Sequence, residues 1–290
     1  MIIHAILHEA STLLSQTIGL SNKEAKLEIQ LLLQTVISVN RAWLILHEND
    51  VLQPDDHKAF VAMLNRRLRG EPIAYILGNR DFFNLNLMVT PDTLIPRPDT
   101  ETLVEAVFTK ISKNSDESIL DLGTGTGAIA LAVAKNRPLT TITAVDASIA
   151  ALEIAMKNGL NLKINNIEFI LSNWFDNLNN RTFDLIVSNP PYIEENDVHL
   201  TQGDLRFEPI SALSSGADGL DDIRKIINDC LIHLKPQGWI MIEHGYNQAE
   251  KVANLMAGTG LINIETIKDL GNNDRVTIGR NSLIVSTHWQ

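Results

Sequence analysis

The 290-residue sequence has one cysteine, no long apolar run and no basic leader. Cys230 excludes an intrachain disulfide, and its place in a helical apolar pattern indicates a small core residue in a reducing compartment. No window approaches the roughly 18 apolar residues that a membrane span needs, and the first apolar run, at residues 1–8, breaks at once. We therefore expect a globular, cytoplasmic protein with no membrane among its partners.

The chain also lacks an excess of basic side chains. Its formal net charge is −11; residues 1–80 hold eight basic and eight acidic side chains, and residues 81–290 hold 16 basic against 27 acidic ones. Proteins that track a phosphate backbone gain affinity by neutralising phosphates with Lys and Arg. We therefore expect no free nucleic acid among the partners.

Residues 1–72 have the pattern of a small all-α domain. Apolar positions at helical spacing over residues 2–18 end at Gly19, and Ser21 with Glu24 forms a capping box for a second helix. Further helical stretches follow at residues 41–47 and 54–70.

Residues 73–95 separate this domain from the rest of the chain. The run Asp81–Val89 alternates like a hairpin strand, and prolines at 91, 96 and 98 mark an irregular connector. We predict a β-hairpin linker here and a catalytic domain over residues 96–290.

From Ser118 onward, predicted strands and helices alternate, which is typical of a doubly wound α/β sheet. Ligands of such sheets bind beyond the carboxyl ends of the strands. Two later segments, 262–267 and 275–278, are expected to close the sheet as an antiparallel pair. The predicted strands are 119–122, 141–145, 167–171, 185–188 and 239–242, and the predicted helices lie near 127–136, 148–159, 220–235 and 247–258.

The apolar strand that ends at Ser188 is followed by Asn189, Pro190, Pro191 and Tyr192. Two prolines cannot donate to a sheet ladder and fix φ near about −65°, so the chain leaves the sheet with a stiff backbone. The Asn189 side-chain oxygen and the Pro190 carbonyl can then accept both N–H bonds of an amino group, with Tyr192 as a flat wall. An ordinary strand end with a Pro-Pro turn has the same residues, so this tetrapeptide alone does not decide.

A glycine-rich turn follows the first strand of the sheet and opens into a helix. Its core is Gly123-Thr124-Gly125-Thr126-Gly127, and Asp146 ends the next strand, where it can accept from ribose hydroxyls. The pattern fits a dinucleotide fingerprint as well as an S-adenosylmethionine loop. The glycines alone therefore do not distinguish between these two cofactors.

The position of the Asn189 segment favours S-adenosylmethionine over a dinucleotide. It ends the fourth strand of the unit and therefore faces the same crevice as the glycine loop. A nicotinamide enzyme has no use for two rigid acceptors there, whereas a methyl donor beside an amino nucleophile does. Trp174, at the end of the third strand, is a candidate adenine contact or a core residue. The loop Asn196–Leu213 is long enough to cover the site, and Arg97 with a Thr100 cap could border it.

Several motifs, in this order, together resemble the release factor glutamine methyltransferases, the PrmC/HemK family. The similarity covers about residues 60–280; the N-terminal helices match in size and helical character, and residues 281–290 have no counterpart. The motifs are Thr93–Glu101, Asp121–Ala130, Asn189–Ile193, Arg206–Pro209, Glu243–Gly245 and Asn273–Val276.

The resemblance implies a class I S-adenosylmethionine-dependent methyltransferase of Rossmann-like fold. It implies methylation of the side-chain amide nitrogen of the glutamine in the Gly-Gly-Gln motif of peptide chain release factors, with S-adenosylhomocysteine as the other product. On this account no metal and no dedicated strong base is required, and we expect a monomer. The residues implied for the cofactor are Gly123, Thr124, Gly125, Thr126, Gly127, Asp146, Trp174 and Asn189; those implied for catalysis and substrate binding are Asn189, Pro190, Pro191 and Tyr192.

Two other functions fit parts of the pattern. An amino methyltransferase acting on adenine or another exocyclic amine of DNA or RNA needs the same acceptor pair, and it would flip the base into the pocket. It also predicts a basic track, which the charge distribution does not supply. A module that only senses S-adenosylmethionine would leave the Asn189 acceptors unexplained.

Overall fold

The computed structural model describes residues 2–283; of the stretch 281–290 that has no counterpart in the resembling family, residues 284–290 lie outside the described residues. The chain divides into two compact units, Met1–Gly78 and Asn79–Gln290. Among the described residues, none of the helices combines the length and the apolar character that crossing a membrane requires.

The first unit is all-helical, as the sequence predicts. The capping box is present: Ser21 Oγ accepts from the Glu24 amide, and the Glu24 carboxylate accepts from the Ser21 amide. Gly19 ends the first helix with a left-handed φ of 78°. A fifth, five-residue helix was not predicted, because it is too short to show a period. The helices are α1 Ile3–Ile18, α2 Asn22–Ile37, α3 Arg41–Leu46, α4 Pro54–Leu68 and α5 Ile73–Leu77.

The second unit begins with the hairpin. The alternating run predicted as one strand contains the turn between two short antiparallel strands, β1 Asn79–Phe82 and β2 Leu85–Met88. Phe83 and Asn84 form the turn with positive φ values of 46° and 59°. A two-residue turn preserves the alternation of side chains, so the sequence pattern hides it.

A seven-stranded sheet follows, in the order β5-β4-β3-β6-β7-β9-β8. The strands β3 to β7 run parallel to one another, and β9 pairs antiparallel with both β7 and β8, which confirms the predicted closing pair. The strands are β3 Ser118–Leu122, β4 Thr141–Asp146, β5 Ile167–Leu171, β6 Phe183–Ser188, β7 Leu234–Glu243, β8 Leu261–Lys268 and β9 Asp274–Asn281.

Helices cover both faces of this sheet, because alternate residues of the central strands are apolar on both sides. Ile119 and Leu185 belong to one buried cluster, whereas their neighbours Leu120 and Ile186 belong to the other. The helices are α6 Glu101–Lys110, α7 Ala128–Asn136, α8 Ile149–Leu162, α9 Asp221–His233 and α10 Ala249–Thr259. Since five strands are parallel, their carboxyl ends meet at one edge, where the predicted site residues lie.

Candidate active site

A cleft of about 560 Å³ lies beyond the carboxyl ends of the parallel strands. This volume lies within the range of about 300–1,000 Å³ that is usual for small-molecule sites. Of the residues predicted for the site, Gly123, Gly125, Asp146, Trp174, Asn189 and Pro191 line the cleft. Thr124, Thr126, Gly127, Pro190 and Tyr192 are not among its lining residues.

The glycine loop between β3 and α7 requires glycine for two reasons. Gly123, Gly125 and Gly127 all have positive φ, at 72°, 55° and 82°. A Cβ on Gly123 would lie 3.2 Å from Trp174 Cζ3, and a Cβ on Gly127 would lie 2.9 Å from Leu131 Cδ1. A Cβ on Gly125 would meet no atom within 4 Å, so this glycine leaves its open space to the cleft.

The two threonines of the loop face the protein. Thr124 donates its hydroxyl to Asp121 Oδ2 at 2.7 Å, and the Ala130 amide donates to the same oxygen at 3.2 Å. The Thr126 carbonyl accepts from Asn158 Nδ2 at 2.9 Å. Burial raises the pKa of Asp121 to about 7, and its Oδ1 has no hydrogen-bond partner. Hydrogen bonds of the two threonines therefore hold the loop on the side away from the cleft.

Asp146 joins the end of β4 to the glycine loop. Its Oδ2 accepts from the Gly125 amide at 2.9 Å, and its Oδ1 accepts from the Ser148 amide at 2.8 Å. Burial raises the pKa of Asp146, while the backbone donors, including the amides of residues 148 and 125, oppose the rise. Each carboxylate oxygen can accept a second bond, so the group can still receive a donor from the cleft.

Trp174 packs next to Gly123 and lines the cleft. Its indole Nε1 donates to Asp222 Oδ1 at 3.1 Å, and Asp222 Oδ2 accepts from the Ser215 hydroxyl at 2.7 Å. The residue has a positive φ of 52° and packs partly against one apolar cluster of the sheet. Its ring thus packs against the core and also lines the cleft.

Asn189 lies directly after β6 and faces the cleft. Its Nδ2 donates to Thr100 Oγ1 at 3.1 Å, which leaves its Oδ1 on the other side of the amide. None of the hydrogen bonds formed within residues 2–283 uses Asn189 Oδ1 or the Pro190 carbonyl oxygen. Both oxygens therefore remain available to accept hydrogen bonds.

Both backbone polar groups of Tyr192 form hydrogen bonds with other parts of the chain. Its carbonyl accepts from Gln248 Nε2 at 3.0 Å, and its amide donates to the Leu213 carbonyl at 3.2 Å. Burial, followed by the charge of Glu243, raises the pKa of its phenol. The side chain packs against one apolar cluster of the sheet, near the charges of Glu243 and Arg275.

Glu243, at the end of β7, is a buried carboxyl beside the same segment. Burial raises its pKa to about 7, while hydrogen bonding by Thr100, the charge of Arg275 and hydrogen bonding by Tyr192 oppose the rise. Its Oε2 has no hydrogen-bond partner. Sequence reasoning assigned no role to Glu243, although the residue lies in one of the matching motifs.

The long loop after Tyr192 contributes the remaining wall. It contains three 3₁₀ turns, Val198–Thr201, Leu205–Phe207 and Ile210–Ala212. Glu208 is buried against the motif Thr93–Glu101: it forms an ion pair with Arg97 and accepts from the Ile95 amide at 3.0 Å. Pro209, Ser211, Ala212 and Ser214 then line the cleft, as expected for a covering loop.

Within residues 2–283, no group of three or more His, Cys, Asp or Glu side chains is arranged to hold a metal ion. The ionisable side chains that line the cleft are Asp92, Asp146 and Asp222.

The architecture and the cleft define an α/β methyltransferase, and comparison with known proteins agrees. Two family models match: the PrmC N-terminal domain over residues 5–78 and the methyltransferase small domain over residues 98–205. A methyltransferase structure from Pyrococcus furiosus shares the fold, with a TM-score of 0.52 and 19% identity over 76% of this chain and 98% of that one.

Curated relatives give the family. The chain is 46% identical to the release factor glutamine methyltransferase of Xylella fastidiosa, over 88% of this chain and 93% of the relative. It is 45% identical to that of Pseudomonas aeruginosa, over 93% of this chain and 97% of the relative. The chain belongs to the release factor glutamine methyltransferase family.

Proposed function

We propose that the protein transfers a methyl group from S-adenosylmethionine to the side-chain amide nitrogen (N5) of the glutamine in the Gly-Gly-Gln motif of bacterial class I peptide chain release factors. The consequence is modulation of translation termination. One observation carries the proposal: Asn189 Oδ1 and the Pro190 carbonyl, both free of partners within residues 2–283, lie on a stiff segment beside the cleft of the glycine loop.

The cleft residues fit the methyl donor. Gly125 leaves open space for a ligand, Asp146 can accept from the ribose hydroxyls, and Trp174 offers a ring face to the adenine. The other residues proposed for the cofactor are Gly123, Thr124, Thr126, Gly127 and Asn189. When bound, S-adenosylmethionine supplies an electrophilic methyl group and leaves as S-adenosylhomocysteine.

The protein's own contribution is the alignment of a poor nucleophile. The lone pair of a glutamine amide nitrogen is delocalised into its carbonyl group. Acceptance of both N–H bonds by Asn189 Oδ1 and the Pro190 carbonyl would orient that nitrogen toward the methyl group, with Pro191 and Tyr192 holding the segment rigid. Such positioning contributes about 7–11 kcal/mol in favourable cases. The methylated nitrogen then loses one proton to solvent.

We further propose roles for the regions of the chain. The helical domain, residues 1–72, would dock the protein substrate, the hairpin linker would span residues 73–95, and residues 96–290 would carry out the chemistry. The protein would act as a monomer in the cytoplasm, where a buried free thiol such as Cys230 stays reduced.

The test is methylation of a purified release factor with isotopically labelled S-adenosylmethionine, followed by mass-spectrometric mapping of the label. We expect label on the glutamine of the Gly-Gly-Gln motif and none in a release factor whose motif glutamine is replaced by alanine. Adenine-containing DNA and RNA oligonucleotides form the comparison arm. Label in an oligonucleotide but not in the release factor would replace the proposal by a nucleobase amino methyltransferase.

A further inference from the structure

Thr100 occupies the position before α6, where a threonine usually caps the helix. Its hydroxyl makes no capping hydrogen bond. The residue is 4% exposed, and its Oγ1 instead accepts from Asn189 Nδ2 across 89 positions of sequence. The hydroxyl is therefore used by the candidate active site and not by its own helix.

The direction of this hydrogen bond has a chemical consequence. An asparagine amide presents a donor on one side and an acceptor on the other, and a hydroxyl can act as either. If Thr100 donated, Asn189 would turn its Oδ1 to Thr100 and its NH₂ group to the cleft. An NH₂ group cannot accept the N–H of a substrate amide, so only one of the two orientations supports the reaction.

Because Thr100 Oγ1 accepts from Asn189 Nδ2 at 3.1 Å, its own hydroxyl hydrogen is left for another acceptor, and Glu243 is the candidate. It is buried beside Thr100, and hydrogen bonding by Thr100 is the first of the effects that oppose the rise of its pKa. A carboxylate can only accept, so it accepts the hydrogen bond of the Thr100 hydroxyl and leaves an oxygen lone pair for Asn189 Nδ2. The charged side chains around this carboxyl are Arg275 and Asp99.

We propose that Thr100 is a positioning residue whose hydroxyl, oriented by Glu243, holds the Asn189 amide with its oxygen toward the cleft. The inference rests on the proposed function, because it assigns the reason why the substrate acceptor faces the right way. Thr100 itself does not contact the substrate; it acts through Asn189.

The first test compares Thr100→Val with Thr100→Ser, at about pH 8 and saturating S-adenosylmethionine. Valine keeps the shape and removes the hydroxyl, whereas serine keeps the hydroxyl. We expect Thr100→Val to lower kcat on the release factor by about tenfold to a hundredfold, the usual consequence of losing one hydrogen bond that acts in the transition state. Thr100→Ser should stay within a few-fold, and the cofactor Kd should be unchanged in both.

Two results would overturn the inference while leaving the proposed function intact: wild-type kcat in Thr100→Val, or equal losses in the valine and serine variants. Should the valine variant fold poorly, as judged by its Tm and cofactor binding, Glu243→Gln provides the second variant. Glutamine can donate as well as accept, so the hydroxyl is free to reverse and kcat should fall; unchanged kcat contradicts the role given to Glu243.

A double-mutant cycle separates positioning from general packing. In an Asn189→Ala background, Thr100→Val should lower kcat no further, because the side chain it orients is gone. Independent, multiplicative losses would show that Thr100 acts by another route. Absence of glutamine methylation by the wild-type protein itself would instead remove the proposed function, and this inference with it.

Discussion

The two halves of the cleft are built in different ways. The glycine-loop half, with Gly123–Gly127 and Asp146, is held by bonds of short and moderate sequence separation: Thr124 donates to Asp121 three positions away, and Gly125 donates to Asp146 21 positions away. The acceptor half, Asn189–Tyr192, is held from remote elements. Its tethers come from Thr100, 89 positions earlier, and from Gln248, 56 positions later.

The difference matches the tasks that the proposed function assigns to the two halves. A loop that receives a nucleoside needs close backbone approach, which glycines and one carboxylate supply locally. A pair of acceptors that must orient an NH₂ group needs a fixed side-chain amide, and only other side chains can fix its two possible orientations. Changes in the two halves should therefore affect different measurements.

The largest effect is expected at the acceptor itself. Asn189→Ala should lower kcat on a release factor by about a thousandfold, because alignment of the amide nitrogen is lost. The cofactor Kd should stay within several-fold. Asn173→Ala, a second asparagine of the same cleft, is the matched control and should retain most of the turnover. Equal losses of cofactor affinity and of kcat in Asn189→Ala would show that the residue serves binding alone.

The next effect should appear in cofactor affinity. Asp146→Ala should raise the Kd of S-adenosylmethionine by about tenfold to a hundredfold, since a charged acceptor for ribose and the tether of the Gly125 amide are both removed. Titration calorimetry with S-adenosylhomocysteine measures it, and Asp116→Ala, an exposed acid of the same unit, serves as control. An unchanged Kd refutes the ribose role.

A smaller effect on turnover is expected from the tether of Tyr192. Gln248→Glu keeps the acceptor for the Gly245 amide but places a carboxylate oxygen against the Tyr192 carbonyl. We expect kcat to fall by about tenfold with little change in cofactor Kd, because one buried donor is lost. Gln202→Glu, at an exposed position of the covering loop, should leave kcat unchanged. If both variants lose activity alike, added charge and not the tether is responsible.

The smallest effect concerns stability, and both halves contribute. Burial raises the pKa of Asp121, under the glycine loop, and of Glu243, under the acceptor pair, to about 7 from ordinary values near 4. The folded state therefore binds more protons than the unfolded state between these values. The stabilisation is complete on the acidic side and is lost as the pH rises through about 7.

Tm should accordingly fall by a few °C between about pH 5 and pH 8, which is the scale expected for a domain of this size. Asp121→Asn and Glu243→Gln should each flatten this slope. Asp184 and Asp269 have lowered pKa values that matter only at more acidic pH. Burial lowers the pKa of His244, so its contribution to stability rises with pH inside the window, and the share of the two carboxyls is the part of the slope that their variants remove. A slope that neither variant changes would mean that both carboxyls titrate near their ordinary values.

Much of the fold could be predicted from the sequence. The capping box at Ser21, the order of the parallel strands and helices, and the closing antiparallel pair all follow from periodicity and local turn chemistry, and the structure confirms them. Two local features were not predicted: the five-residue helix α5 and the turn at Phe83 and Asn84. Both are shorter than the window that a period needs.

Some residues of the candidate site could likewise be predicted from the sequence, and others could not. The sequence located the glycine loop, Asp146, Trp174 and Asn189 at one edge, since the carboxyl ends of parallel strands meet there. It missed the roles of Thr100, Glu243, Glu208 and Gln248. The Thr100 motif suggested a helix cap, and nothing local indicates that its hydroxyl turns to a residue 89 positions away.

The sequence by itself determined the alternation of strands and helices, the glycine loop with its acid, and the stiff segment that carries two acceptors. Each depends on the conformational limits of a few neighbouring residues. The tertiary structure decided which way the Asn189 amide faces and which side chains hold the Tyr192 segment, because hydrogen-bond partners of a side chain are chosen by proximity in space, and a linear pattern does not record proximity between distant residues.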